Sequence, residues 1–425
     1  MPVFDTVDCL DENLQLNGTG YTMTFVLKKL SENSSEFSQK LNESTIQTID
    51  CRDLSGDGKG YLSRVFKLTI NFTDNHVKAQ KVVLKIPTLD RISEACDQME
   101  LLENDKDAFH RDLSNSHNNE CYVYELINTI DEFPTPRLFF LETATEDRPG
   151  IIVMEDLSDS TTTANVFDGA PADLCFNIAK HFAQLQAAIN TTPDLKQKSE
   201  KLNSAYHLHC NTRELVNTFF GRWCAREPSF EWFAKKFESL DLEALSHFAL
   251  IGLPQEYGAN TLIHGDCWIN NLLLKQNSDG TATNEISRII DFQLSFSGNP
   301  LFDLARLIQI CVDSSVRRKI EKSVVDVYYN ALRQAYKKRG YKQLPFSREQ
   351  ASFLFDAHEL YAYAAIHQAI HLVMIMYFLT AQDFENDPQL HQSRIDKMQT
   401  RLQHGLEDGL KRMNQRKIFE KFSTK

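Results

Sequence analysis

The sequence has little glycine and proline, 16 and 12 of its 425 residues. Such low counts exclude a collagen-like chain and a low-complexity, disordered one. Hydrophobic residues make up 42% and charged residues 24%, which is typical of a globular protein with a substantial core. At about 150 residues per domain, the length suffices for about two to three domains.

Clustered positive charge is also lacking, and the formal net charge is −12. Neutralising nucleic-acid phosphates requires clustered lysine and arginine, so we expect no nucleic-acid partner. None of the nine cysteines forms a C-x-x-C pair. Their odd number in a long chain favours reduced thiols over a disulfide framework. The first residues, MPVFDTVDCLDE, lack the basic and apolar parts of a secretory signal, so we expect a cytoplasmic protein.

One uncharged stretch, residues 360–379, has the length of a membrane span. It contains two histidines, a glutamine and three tyrosines, and no basic cluster flanks it. Flanking basic residues orient membrane helices, so their absence favours a buried helix of a large helical domain. We therefore expect no membrane association.

Strand patterns precede residue 157 and helical patterns follow it. Tyr61–Phe72, Lys81–Ile86 and Ile151–Met154 are rich in β-branched and other apolar residues, as strands are. Asn119–Ile130 between them has helical spacing. Helices are then expected over 174–189, 213–224, 230–249, 301–312, 318–339, 348–380 and 388–421.

The helical trend is interrupted over 262–292, where two apolar segments flank the turn-rich QNSDGTATNE. This pattern predicts a hairpin. The polar stretches Ser31–Ser35 and Ser158–Thr163 are expected to be loops, and the second of them marks a domain boundary. The predicted organisation is an N-terminal extension (1–45), a strand-rich domain (46–157) and a helical domain (158–425).

The strongest motif has the form H-x-D-x-x-x-x-N and runs from His264 to Asn271, with Asp291 twenty positions later. Phosphoryl transfer needs one carboxylate for the proton of the attacking hydroxyl, and a second carboxylate and an amide oxygen for Mg²⁺. The predicted hairpin brings Asp266, Asn271 and Asp291 to one edge. Alone, either aspartate reads as a turn residue or a strand-end cap, but together at this spacing they favour a functional site.

Lys85 lies within the apolar strand VVLKIP. Burying its ammonium is costly unless anions are near, so Lys85 either binds phosphates or faces solvent on an edge strand. Gly56, Gly58 and Gly60 precede the strand pair. Glycines let backbone N–H groups approach phosphates, although this irregular motif is equally compatible with a plain turn.

The motifs HGDCWINN, IIDFQLSFSGNPLFDLAR, VVLKIP, NECYVY and VMEDL resemble those of the ecdysteroid-kinase-like, or choline-kinase-like, small-molecule kinases. These are relatives of choline/ethanolamine kinases and aminoglycoside phosphotransferases. The resemblance covers about residues 50–380 in the same order. It implies an α+β, protein-kinase-like fold with a strand-rich N-terminal lobe and a mostly helical C-terminal lobe. It also implies ATP and Mg²⁺ as cofactors and phosphate transfer to a small-molecule alcohol.

The resemblance implies a role for each matching residue of the catalytic loop (262–293). Asp266 would be the catalytic base, and Asn271 and Asp291 would hold the metal. His264 would be a scaffold residue of the loop, and Asp303 would brace the loop.

The resemblance also implies a nucleotide site. Lys85 would hold the phosphates, oriented by a glutamate of the next helix. Glu120 is favoured over Glu125, which lies at a different angle on that helix. The backbone of Glu155 and Leu157 would pair with adenine, and Met154 would lie at the back of the pocket. Other possible partners of the lysine are Glu94, Glu100 and Glu103.

Three alternatives agree less well with the sequence. A protein kinase would have arginine where this chain has Gly265, and glycine where it has Gln293. In addition, the ten residues between Phe292 and Asp303 are too few for an activation segment. A pseudokinase would lack at least one of four side chains, all of which are present here: Lys85, Asp266, Asn271 and Asp291. A zinc site is suggested by two histidine groups, but neither has a third ligand at a suitable spacing. These groups are His207-x-His209-Cys210 and His367-x3-His371.

The sequence leaves the acceptor and the oligomeric state open. Aromatic residues with carboxylates would suit a quaternary ammonium by cation–π attraction, whereas aromatic residues alone would suit a steroid-like alcohol. Taken singly, each ring is better explained as a core residue than as part of an acceptor site. The residues considered for the acceptor wall are Trp223, Trp232, Trp268, Tyr361 and His367.

Overall fold

The structure is a computed structural model that describes residues 16, 19–54, 63–88, 106–202, 221–356, 372, 387–415 and 417–424. The chain divides into two compact units. The first contains the described residues up to Tyr122 together with Pro136–Asp159. The second contains Val123–Thr135 and the described residues from Ser160 onward.

A five-stranded antiparallel sheet forms the first unit, in the order β1-β2-β3-β5-β4. Along β2 and β3, buried residues alternate with partly exposed ones, because successive side chains of a strand point to opposite faces. Leu84 and Ile86 lie in the core, which puts Lys85 on the other face. The strands are β1 (Ile46–Asp53), β2 (Ser63–Phe72), β3 (Gln80–Pro87), β4 (Leu138–Glu142) and β5 (Ile151–Glu155).

Two helices, α1 (Met23–Asn33) and α2 (Ser35–Glu43), contribute Val26, Leu30 and Phe37 to the same core. The loop predicted over Ser31–Ser35 was wrong. Ser34 separates the helices alone: its N–H donates to the Leu30 carbonyl, and its hydroxyl accepts the Phe37 N–H. A serine cap satisfies the exposed ends of both helices, so the polar run needs no longer loop.

Helix α3 (Lys106–Ile127) contributes residues to both units. In the second unit, β7 (Thr261–Ile263) pairs with β10 (Phe296–Gly298), and β8 pairs with both β6 and β9. The predicted hairpin is confirmed as β8–β9. The three strands of that second sheet are β6 (Thr161–Thr162), β8 (Leu272–Gln276) and β9 (Ala282–Ile289).

Helices make up most of the rest of the second unit. They are α4 (Ala172–Thr191), α5 (Pro193–Ser199), α6 (Gly221–Arg226), α7 (Glu231–Glu238), α8 (Leu242–His247), α9 (Leu253–Glu256), α10 (Phe302–Cys311), α11 (Ser314–Lys338), α12 (Arg348–Asp356), α13 (Pro388–Gln415) and α14 (Ile418–Lys421). The strand-rich first unit and helical second unit confirm the predicted α+β class.

One predicted helix is broken. Residues 230–249 form α7, α8 and the start of a π turn, because the Asp241 carboxylate accepts the Ala244 N–H and begins a new helix. The apolar stretch 360–379 lies outside the described residues except for Leu372. Within the described parts of the chain, every helix is too short or too polar to cross a membrane.

Candidate active site

The H-x-D loop follows β7 and is held by α10. The Asp303 carboxylate, which is fully buried in the first turn of α10, accepts the backbone N–H of His264 at 2.7 Å and that of Gly265 at 2.9 Å. Burial raises the pKa of Asp303, whereas His264 and these hydrogen bonds lower it. One side chain thereby fixes the main chain of the two residues that precede Asp266.

Gly265 has a backbone φ of +82°, in the left-handed region. A Cβ atom there would lie 1.9 Å from the carbonyl oxygen of Leu294. Both the backbone angle and this close approach require glycine. The arginine that protein kinases carry at this position therefore has no room here.

His264 joins the loop to the segment that leads into Asp291. Its Nε2 lies 2.9 Å from the Ile290 carbonyl oxygen, and its Nδ1 accepts the Asp266 N–H at 3.2 Å. These partners select the neutral imidazole that carries its proton on Nε2. Complete burial lowers the pKa of His264 accordingly. The residue is built into the scaffold.

Asp266 is largely buried, and its two carboxylate oxygens have different partners. Oδ1 lies 2.5 Å from Nη2 of Arg306. Oδ2 lies 3.3 Å from Nδ2 of Asn271, and the same Nδ2 donates to the Asp266 carbonyl oxygen at 2.9 Å. Burial raises the pKa of Asp266, the guanidinium of Arg306 lowers it, and the charge of Asp291 raises it.

Sequence reasoning missed Arg306. A signal was available, because Arg306 follows Asp303 by three positions in a predicted helix, and such residues share a helix face. A residue that braces the loop thus has a basic neighbour directed at the same loop.

Asp291 follows β9 and has a φ of +72°, which is unusual for a residue other than glycine. Its N–H donates to the Tyr124 hydroxyl at 3.3 Å, and the Phe292 ring packs edge-on against Tyr124. The Ile290 N–H donates to the Asn271 carbonyl at 3.0 Å. This bond ties the segment before Asp291 to Asn271.

Asn271 and Asp291 provide oxygen donors suited to Mg²⁺. The Asn271 amide nitrogen faces Asp266, so its amide oxygen is the atom that would coordinate a cation. The donor chemistry and the amide orientation both fit a magnesium ion.

In the first unit, Lys85 on β3 forms an ion pair with Glu120 on α3. The Lys85 Nζ lies 2.7 and 2.9 Å from the two carboxylate oxygens, and Glu120 is only 1% exposed. Glu125 is exposed. The other three glutamates considered, at positions 94, 100 and 103, lie outside the described residues.

The segment after β5 provides further contacts. Met154 is buried. The Glu155 N–H donates to the Arg137 carbonyl at 2.9 Å, so it does not serve as a donor to a nucleotide base. Leu157 is half-buried. An additional ion pair, missed from the sequence, joins Lys67 on β2 to Asp156 at 2.9 Å.

Of the residues considered for the acceptor wall, the structure describes the three tryptophans. Trp268 lies in the loop two positions after Asp266 and is 7% exposed. Trp223 on α6 is 1% exposed, as a core side chain is. Cys267 is buried, and burial raises the pKa of its thiol, which favours a packing role over a nucleophilic one. The remaining candidates lie outside the described residues. They are Tyr361, His367, the other histidines considered as zinc ligands, and the three loop glycines Gly56, Gly58 and Gly60.

The chain belongs to the DUF1679 family, described as "Uncharacterized oxidoreductase dhs-27", whose family model matches residues 22–416. A Caenorhabditis elegans protein of that name is 25% identical to it over 333 residues. The match covers 76% of this chain and 38% of the C. elegans protein. The chain therefore spans well under half the length of that relative.

Two solved structures are similar along most of the chain. The GDP complex of an aminoglycoside 2'-phosphotransferase-IIIa mutant covers 90% of this chain and 98% of its own, at 13% identity and a TM-score of 0.45. A putative aminoglycoside phosphotransferase from Ralstonia eutropha JMP134 covers 88% and 98%, at 14% identity and a TM-score of 0.43. Both TM-scores are below 0.5, so neither structure assigns a function to this chain.

Proposed function

We propose that this protein is an ATP- and Mg²⁺-dependent kinase that phosphorylates a hydroxyl group of a small-molecule alcohol. The observation that carries the proposal is the loop in which the largely buried Asp266 contacts Asn271, with Asp291 near enough to influence the pKa of Asp266. These are the base and the two oxygen ligands that phosphoryl transfer needs. The Lys85–Glu120 pair supports it, because kinases orient their phosphate-binding lysine in this way.

Each residue has a definite task in this proposal. Asp266 accepts the proton of the acceptor hydroxyl. Lys85, oriented by Glu120, binds the α- and β-phosphates of ATP. Asn271 and Asp291 hold Mg²⁺, which when bound neutralises charge on the phosphates.

A small-molecule acceptor is favoured over a protein. The Leu294 carbonyl leaves no space for a side chain at Gly265, so the arginine that anchors a phosphorylated activation loop has no equivalent. Only ten residues separate Phe292 from Asp303. Together with the resemblance to ecdysteroid-kinase-like and choline-kinase-like enzymes, these features support an alcohol of low molecular mass.

The oxidoreductase activity in the name of the C. elegans relative is not assigned to this chain. This chain matches only 38% of that protein, so the named activity has no demonstrated place in the matching part. The donor set around Asp266 supports phosphoryl transfer instead.

The direct test incubates purified protein with Mg²⁺ and γ-labelled ATP against pools of alcohols. The pools contain choline and ethanolamine, ecdysteroids and other sterols, glucosides, or aminoglycosides, and a generic protein serves as a separate acceptor. Label on one small-molecule pool would support the proposal and define the acceptor class. Label on the protein alone, or on no acceptor, would contradict it.

Two variants separate the base from the metal ligand. Asp266→Ala should lower turnover at least about 100-fold, because a general base contributes about 10²–10⁴-fold, while Mg²⁺·ATP binding stays nearly intact. Asp291→Ala should weaken Mg²⁺·ATP binding as well. Full turnover by Asp266→Ala would disprove its assignment as the base.

A further inference from the structure

Arg306 is a buried cation beside the proposed base, and the functions assigned so far do not use it. Its side chain is 6% exposed and that of Asp266 is 13% exposed. Desolvating two charges costs several kcal/mol per ion, so a buried ion pair is weak evidence of a stabilising role. A role in the site accounts better for its position.

One helix holds both the backbone and the side chain of the catalytic loop. Asp303 and Arg306, three positions apart on α10, share a face. Asp303 binds the main chain of His264 and Gly265, and Arg306 binds the carboxylate of Asp266. All ten residues of α10 are buried, so both contacts come from a helix fixed on every side.

The second carboxylate oxygen of Asp266 is held less closely. Nδ2 of Asn271 lies 3.3 Å from Oδ2, and its shorter bond, at 2.9 Å, goes to the Asp266 carbonyl oxygen. The χ2 torsion of an aspartate is intrinsically broad. Without an anchor on Oδ1, the carboxylate of Asp266 has little to fix its plane.

We propose that Arg306 is a positioning residue of the kinase reaction: it binds Oδ1 of Asp266 and thereby presents Oδ2 to the acceptor hydroxyl. This rests on the proposed function. In the step it serves, the O–H bond of the alcohol breaks and its proton passes to Oδ2. The alcohol oxygen bonds to the γ-phosphorus, and ADP leaves with the bridging oxygen.

The test compares Arg306→Met and Arg306→Lys with a control, Arg317→Met. Arg317 is also a buried arginine with carboxylate partners, Glu321 and Asp408, but it lies on α11 and not on the helix that holds the loop. Crystal structures report the Asp266 side-chain torsions, and steady-state kinetics give kcat and the KM for ATP.

In Arg306→Met, the Asp266 carboxylate should turn and kcat should fall about 10- to 100-fold, less than the about 10²–10⁴-fold that a general base contributes in full, because the base is misplaced and not removed. The KM for ATP should stay within about threefold of wild type. Arg306→Lys should restore part of kcat. Arg317→Met should lower the thermal midpoint and leave kcat unchanged. If Arg306→Met fails to fold, Arg306→Lys decides, since its shorter side chain should still lower kcat and shift the carboxylate.

Two results would overturn the inference: an Asp266 carboxylate that keeps its orientation in the variants, or a kcat that is unchanged or raised. A raised kcat would mean that Arg306 restrains the base. Absence of phosphate transfer by the wild-type protein would overturn the proposed function and, with it, the kinase role of Arg306. The crystal structures of the variants would still decide whether Arg306 positions Asp266.

Discussion

Two glycines with the same backbone angle make it possible to separate strain from crowding. Gly265 and Gly280 both have a φ of +82°. A Cβ atom at Gly265 would lie 1.9 Å from the Leu294 carbonyl oxygen, whereas one at Gly280 would meet nothing within 4 Å. Gly280→Ala should cost about 1–2 kcal/mol of stability from strain alone. Gly265→Ala should lower the free energy of unfolding clearly more and abolish turnover, as chemical denaturation and activity assays would show. Equal losses of stability in the two variants would contradict a role for crowding at Gly265.

Burial of His117 makes stability depend on pH. Its Nε2 lies 3.0 Å from the Glu142 carbonyl oxygen, and burial lowers its pKa from 6.5 to about 4. Between these values the unfolded chain binds a proton that the folded protein does not. Stability should therefore fall as the pH falls from 6.5 towards 4, by at most about 1.4 kcal/mol per pH unit. Thermal midpoints at pH 7 and 5 should differ less in His117→Gln than in wild type. An equal change of the midpoint in both proteins would disprove the assignment of this pH dependence to His117.

Side-chain identities were easier to predict from the sequence than side-chain partners. Asp266, Asn271 and Asp291 were selected because phosphoryl transfer requires their chemistry at that spacing. The spacing of Arg306 from Asp303 indicates a shared helix face, but the contact of Arg306 with Asp266 also depends on how α10 lies against the loop. The left-handed conformation of Asp291 was likewise not predicted, because it follows from what surrounds the end of β9.

Coupling between β3 and α3 depends on the Lys85–Glu120 pair. Since Glu120 is 1% exposed, removing either partner takes the nearest opposite charge away from a group in a poorly solvated place. Lys85→Met and Glu120→Gln should each weaken ATP binding about tenfold. The double variant should bind ATP at least as tightly as the single variant with the lower affinity. The coupling free energy should exceed about 1 kcal/mol, as expected of residues in direct contact.

The β8–β9 hairpin offers a matched control for this cycle. Lys275 and Glu285 form an ion pair at 2.8 Å, but their side chains are 60% and 66% exposed. Exposed pairs contribute about 0–1 kcal/mol, so their coupling in the same assay should be close to zero. Equal coupling in both pairs would show that the Lys85–Glu120 contact has no special role.

Periodic elements were predicted well and their ends less well. The spacing of 174–189 corresponds to α4, and the β-branched and apolar stretch Lys81–Ile86 corresponds to β3. Helix ends depend on caps, and single residues such as Ser34 and Asp241 were not recognised as caps from composition alone. Strand β4 was missed, and its five residues show no alternation of buried and exposed positions.

At the level of the whole chain, the proposed ligands predict a change in stability that needs no acceptor. A ligand that binds only the folded protein stabilises it by about 2.7 kcal/mol at 100 times its Kd. Mg²⁺ with a non-hydrolysable ATP analogue should therefore raise the thermal midpoint by several degrees. The shift should persist in Asp266→Ala, since the base does not hold nucleotide, and shrink in Asp291→Ala or with EDTA, since Asp291 needs the cation to reach the phosphates. A shift independent of both Mg²⁺ and Asp291 would contradict the metal site while leaving nucleotide binding intact.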